Sequence, residues 1–412
     1  MRSEGIWKSA GKACIFFLAA CTGFAGLSRA LFAQDAGRIA VSGVLDSSVT
    51  MGAGAGDTSR FYYGLEEYAN LRLQARLRDR AIFYGAFNFI AAAGYPAQSA
   101  SDWGLYQEQE GLAPSAYVSG EHYIAGMELE RLYFRVNGES LDFDGGLMRI
   151  PFGYGQVWGS SDFLNPRNPL LPDSRPRGVL GAGLAWYLPD ETKLFFFGAA
   201  PKNPFAVDGS GGLGGISAER HWEKFSVQAL YAAESPRPGS AQGLHRAGLS
   251  VKADMILGWV LDMLYTANPE AGASVDGLSA GAGFDYSFYE GKFIALAEYL
   301  YNGAASSTSI NSGNVLGLSN ENYILTSLSY MLNDYTTLTA SLVSAFDDLS
   351  FTPMLSAEHD LFQGLTLSLS AQMPMDSDLF RGDGNRGELG PLPPGSSAGS
   401  YFNLNAKVKL RF

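Results

Sequence analysis

Reading back from the C-terminus, Phe412, Leu410, Val408, Ala406, Leu404 and Phe402 alternate with Arg411, Lys409, Lys407, Asn405, Asn403 and Tyr401. A period of two places every second side chain on one face of an extended chain, so the segment predicts a strand with one apolar and one polar face. The pattern recurs upstream. Leu71, Leu73, Ala75 and Leu77 alternate with Arg72, Gln74, Arg76 and Arg78, and Leu132, Phe134 and Val136 alternate with Arg131, Tyr133 and Arg135. Further strands are predicted over 39–51, 82–92, 179–188, 193–200, 225–233, 244–253, 255–265, 278–288, 293–301, 323–332, 337–346 and 365–373, with weaker ones over 141–150, 215–222 and 350–359. Most have about the 9 to 11 residues that a tilted membrane-crossing strand requires.

The connections sort into two classes. Tight ones fall near Asp79 and Arg80, Gly138, Pro189 and Asp190, Glu223 and Lys224, Asp254, Glu290, Asn333 and Asp334, and Gln363, and they interleave mostly with longer, polar ones. Alternating short turns and long loops are what bacterial membrane barrels show. The expectation is an all-β fold, a transmembrane antiparallel up-and-down β-barrel of about 18 strands, with 16 allowed by the weak segments. Lipid offers no partner for backbone N–H and C=O groups, so such a sheet has to close on itself. Tyr62, Tyr63, Trp186, Tyr187, Tyr289 and Tyr335 are candidates for the aromatic girdles at the two interfaces.

Composition changes the picture modestly. The 412 residues include 50 glycines and 13% aromatics but only 17% charged residues, below the roughly 25% of ordinary soluble domains. The net charge of -12 argues against nucleic acid as a partner. Arg2, Lys8 and Lys12 precede an apolar run from Ala13 to Ala20, and small residues follow before Gln34. This is the pattern of a secretory signal peptide, residues 1–33, cleaved after Ala33 to leave a barrel over 34–412. A rival reading ends the leader before Cys21, at a lipoprotein-like box that would leave Cys21 lipidated. Cys14 and Cys21 are the only cysteines, so a chain cut at Gln34 carries none.

The C-terminal alternation, with Val408, Leu410 and Phe412 on its apolar face, resembles the assembly signal of outer-membrane barrel proteins of double-membraned bacteria. That resemblance implies the cell outer membrane as location, and outer-membrane lipid and the barrel assembly machinery as partners. The stretch 149–169, with Trp158, Asp162, Asn165 before Pro166 and Asn168 before Pro169, resembles a Trp, Asp and Asn-Pro stretch of porin-like barrels. Its proline and glycine forbid a continuous strand or helix. It is read either as an inward-folding constriction loop, with Arg149, Trp158, Asp162, Asn165 and Arg167 at the solute, or as an ordered external loop.

A barrel of this size leaves an aqueous channel unless something fills it. The expected function is therefore a porin-type channel for small hydrophilic solutes, without enzymatic activity. The expected pore lining is Arg72, Gln74, Arg76, Arg78, Arg131, Tyr133 and Arg135, with Asp142 and Asp144 beside or across from them. The arginines either attract anions or brace the wall by pairing with carboxylates. The competing class is a surface adhesin or receptor with an occluded pore, for which Arg381, Gly382 and Asp383 offer an integrin-type tripeptide. A hydrolase is the third reading, but His122, His221, His245 and His359 sit in no recognisable catalytic pattern. No metal and no cofactor is expected. Monomer and homotrimer both remain open.

Overall fold

The computed structural model describes residues 39–54, 61–77, 80–94, 115–120, 123–166, 178–200, 212–236, 243–267, 275–305, 318–375, 388–389 and 401–412. The signal-peptide segment, Arg78, Arg167, His122 and the tripeptide at Arg381 lie outside these residues.

The strands are, in order, β1 (Ile39–Gly54), β2 (Phe61–Leu77), β3 (Ala81–Gly94), β4 (Ser115–Gly120), β5 (Tyr123–Asn137), β6 (Leu141–Met148), β7 (Val179–Tyr187), β8 (Thr192–Ala200), β9 (Leu213–His221) and β10 (Phe225–Glu234). They continue as β11 (His245–Asp254), β12 (Gly258–Ala267), β13 (Leu278–Phe288), β14 (Phe293–Asn302), β15 (Asn322–Asn333), β16 (Thr336–Ala345), β17 (Ser350–Phe362), β18 (Leu365–Gln372) and β19 (Tyr401–Arg411). Every pairing is antiparallel between neighbours, and β19 returns to β1, so the sheet closes into an 18-stranded barrel wall. The last residue takes part in closure: Phe412 N donates to Gly43 O at 3.1 Å and Gly43 N donates to Phe412 O at 2.8 Å.

The extra strand is β4. It pairs with Tyr123–Glu128 of β5 on the same edge that β6 occupies further along, at Leu132–Asn137. Since β6 is only 8 residues long, β4 supplies the partners that β6 does not reach. The three weak segments are strands β6, β9 and β17.

The two faces follow from the alternation. On β2, Phe61 and Tyr63 are exposed, and Leu71, Leu73 and Ala75 share their face. The register carries this outer face round the wall through Phe83, Phe134, Trp186, Phe196, Tyr231, Trp259, Phe284, Leu328, Leu342, Leu355, Leu369 and Val408, all exposed large apolar residues. Such a belt is stable only against an apolar medium. Trp186, Tyr289, Tyr335 and Tyr63 are also exposed, at or near strand ends. Tyr62 and Tyr187 depart from the girdle expectation. Tyr62 alternates with its exposed neighbours and packs its ring over Gly52, and Tyr187 hydrogen-bonds to Asp142 of the inner face at 3.2 Å. One-residue parity decides the face, and both fall on the inner one.

Candidate pore lining and constriction segment

On β2, the face opposite the apolar belt carries Arg72, Gln74 and Arg76, and on β5 it carries Arg131, Tyr133 and Arg135. A β-bulge opposite Ala86 and Phe87 adds Glu130, which turns inward beside Arg131. Such a bulge sets two consecutive side chains on one face, which alternation alone does not reveal. Lys407, Lys409 and Arg411 of β19 lie on the same inner face, paired across β1 and β18 with Asp46 and Thr366 among others. Seven cationic side chains thus span one arc of the interior, from β19 to β5.

Several of them are held in place. Arg135 makes a two-point contact with Asp144, Nε to Oδ1 at 2.6 Å and Nη2 to Oδ2 at 2.8 Å. Asp142 lies on the same face of β6 and accepts from Tyr187. Arg131 lies 3.4 Å from Glu130 Oε1, and Asn70 links the group, donating to Glu130 Oε2 and to Asn88 while accepting from Arg72 Nε at 2.6 Å. Tyr84 and Tyr133 pack ring to ring at 5.2 Å between these levels. The two carboxylates of β6 therefore stand beside the arginines. Fixed side chains present their charge at defined positions, as a selectivity surface requires.

Halfway round the ring from β2 stands β12, and this wall differs. Its inner face carries Glu219 on β9, Gln228 on β10, Asp262 on β12, Asp285 on β13 and Glu298 on β14. The segment 149–166, leaving β6, runs along this inner wall. Gly153 N donates to Gln228 Oε1 at 2.8 Å, Tyr154 N and Gly155 N donate to the Asp262 carboxylate, and Gln156 N, Val157 N and Trp158 N donate to Glu298. Six consecutive amides thus find side-chain acceptors on three strands, which is how a chain without regular structure satisfies its backbone. Gly153 adopts φ 82°, and a Cβ on Gly155 would stand 2.8 Å from Asp262 Oδ2, so both positions call for glycine.

Apolar patches seat the segment on either side of this clamp. Ile150, Phe152 and Leu164 join Val179, Phe197, Leu213, Leu230, Ala232 and Leu264 in one buried cluster, and Phe152 stacks on Phe163. Trp158 is 0% exposed in a second cluster with Leu300, Leu318, Tyr323, Leu325 and Val343, and its Nε1 donates to Glu298 O at 2.9 Å. Tyr154 reaches back to donate to Glu219 Oε1 at 2.8 Å, and burial together with that carboxylate pushes its phenol up, so it remains a neutral donor.

The sequence reading of this segment therefore needs correction in its roles. Trp158 faces the wall and is an anchor. Asp162 and Asn165 are buried within the segment, where Asn165 caps Ile150 N at 2.7 Å and Asp162 accepts from Asn165 N and lies 3.6 Å from Arg149. Buried groups already spent on such bonds do not meet solute. The residues that sequence reasoning missed are the acceptors Asp262 and Glu298. A partial signal was present in β10, whose inward Leu230 and Ala232 make it apolar on both faces near one end, and an apolar inner face has to be covered by something.

Among the described residues, no helix is long and apolar enough to cross a membrane, and no cluster of potential metal ligands occurs. No protein-family model matches the chain, and no curated protein matches its sequence. Its shape does have relatives. The crystal structure of Pseudomonas aeruginosa OccK8 (OprE) matches with a TM-score of 0.52 at 10% identity, covering 91% of this chain and 98% of that one. Acinetobacter baumannii OccAB4 matches with a TM-score of 0.52 at 9% identity over 91% and 98%. Together with the closed sheet, these likenesses establish the fold as an 18-stranded antiparallel β-barrel.

Proposed function

We propose that this protein is a porin-type channel of a bacterial outer membrane, passing small hydrophilic solutes and preferring anions. The observation that carries the reading is the division of the interior. Arg72, Arg76, Arg131, Arg135, Lys407, Lys409 and Arg411 occupy one arc, while the carboxylate-clamped segment 149–166 occupies the opposite wall. On the far wall Asp262 and Glu298 are spent on backbone amides, so the cationic arc, in which Arg131 and Arg135 are paired with Glu130 and Asp144, faces that wall across the remaining lumen. The apolar outer belt supports placement in lipid, and the closed hydrogen-bonded wall meets the demand that no backbone group be left unpaired there. The reading assigns no reaction.

The test is solute entry into liposomes carrying the refolded protein, read as swelling rate for an anionic, a neutral and a cationic solute of equal size. The reading predicts the order anion, neutral, cation, and at least a several-fold loss of the anion advantage in Arg72→Ala combined with Arg131→Ala. Equal rates for all three solutes, unchanged in the double variant, would remove the selectivity and leave only the pore.

A further inference from the structure

Between the wall covered by segment 149–166 and the cationic arc lies a third sector of the interior, on β15 to β18. One row of side chains crosses it. Ser329 on β15 is paired with Thr339 on β16, Thr339 with Ser356 on β17, Ser356 with Ser370 on β18, Ser370 with Asn405 on β19, and Asn405 with Thr50 on β1. Their neighbours along the strands, Leu328, Leu338, Leu355, Leu369, Leu404 and Val49, are exposed on the outer face, so alternation sends the whole row inward. The six side chains are uncharged, and each carries a hydroxyl or an amide. Ser329 Oγ and Thr339 Oγ1 lie 3.0 Å apart, and Asn405 Nδ2 donates to Thr50 Oγ1 at 2.9 Å. Thr50 is buried, whereas the other five are only half-buried and so remain within reach of a solute in the lumen. A hydroxyl has one proton to give and two lone pairs, which leaves each of them bonding capacity beyond these contacts.

We infer that this row is a binding surface for hydroxyl groups of the solute, and that the channel favours polyhydroxylated anions of the sugar-acid kind; the inference rests on the anion-channel reading above. The row runs directly into the arc. Lys407 is the next inward residue of β19 after Asn405, and its partner Ser48 is the next inward residue of β1 before Thr50. A solute with an acidic group at one end and hydroxyls along its length therefore meets cation and row together. Glu358 gives the pose a direction. It lies one inward position from Ser356 and shares a row with Ser368 and Lys407, so it repels the acidic end towards the lysine. Side chains that both donate and accept can take over the hydrogen bonds that water makes to a polyol, which lowers the cost of shedding that water. An alkyl anion of equal length and charge gains the cation alone. It displaces water from the row and returns no hydrogen bonds to it.

The experiment is the reversal potential of the folded channel in a planar bilayer with sodium gluconate on one side and sodium hexanoate on the other, carboxylates of the same chain length. A potassium chloride gradient, measured separately, reports charge preference. Gluconate is the bulkier anion, yet it is expected to be several-fold the more permeant. Thr339→Val combined with Ser356→Ala and Ser370→Ala should bring the ratio to unity or below while the chloride conductance stays within about twofold, since no charge is altered. Ser356→Thr keeps a hydroxyl in the row and should keep the advantage. If the triple variant fails to fold, the unaltered channel still decides. A gluconate to hexanoate ratio of one or less in that channel, or a ratio unchanged in the folded triple variant, overturns the inference while chloride preference over potassium stands. Loss of the chloride preference with the gluconate advantage intact would instead overturn the anion reading and leave the row as a hydroxyl site.

Discussion

At Trp158 the chain commits a large aromatic side chain wholly to the wall. Losing it leaves a cavity among Leu300, Tyr323 and Val343, and truncations of this kind in packed cores cost about 3–5 kcal/mol. Trp158→Ala is expected to keep the barrel but loosen segment 149–166, seen as faster hydrogen exchange at the amides of 153–158 and noisier channel currents; unchanged exchange would mean the aromatic cluster is not what seats the segment. Asp348, in the turn after β16, makes a second residue-scale prediction. Burial pushes its carboxyl up, but hydrogen bonds from Ser350, Glu388 N and Asn320 outweigh this and hold it below its ordinary value of 3.8. A depressed acid stabilises the fold above that value and loses its contribution as pH falls through the lower folded value. The Asn320, Asp348 and Glu388 junction should therefore loosen only below about pH 3.8, and Asp348→Asn should remove that acid transition from exchange measured at 318–322. A transition that persists unchanged in the variant would assign it to another carboxyl.

Strands and turns were legible because two signals agree, alternation of period two and turn residues at one end. The tight turns around Gly138, Glu290 and Gly364 fall where the sequence places them, with Tyr289, Glu290 and Gly291 all at positive φ. What alternation could not supply was β4, only six residues long, and the inward turn of Glu130, since a bulge breaks the period on which the reading depends. The course of segment 149–166 was legible only as two alternatives, because its partners are on distant strands and side-chain acceptors carry no sequence spacing. The clamp can be tested as an element. Gly155→Val drives a side chain into Asp262 and should lift the segment off β12, with exchange protection falling at Tyr154 and Gly155. Glu298→Ala removes the acceptor of three amides, each buried donor left unpaired costing about 1–3 kcal/mol, and should free Gln156 to Trp158. Protection retained in both variants would show that the apolar clusters suffice.

For the whole molecule, the outer belt and the closed wall were predictable from the same alternation, whereas the interior field was only half visible. Arg72, Arg76, Arg131 and Arg135 stood out as a ladder, but Lys407 and Lys409 join them only because β19 closes beside β1, a neighbourhood that sequence distance conceals. The net charge of -12 likewise says nothing of the lumen, since acids such as Asp262 and Glu298 are consumed in holding the segment against the wall. The central claim is that a conducting lumen is left between that segment and the cationic arc. Its most direct test is the reversal potential of single channels of the folded protein in a planar bilayer under a salt gradient. The account predicts stable unitary steps with a reversal potential of the sign given by anion preference. Steps of cationic preference would contradict the arc, and no conductance from demonstrably folded barrels would contradict the channel itself.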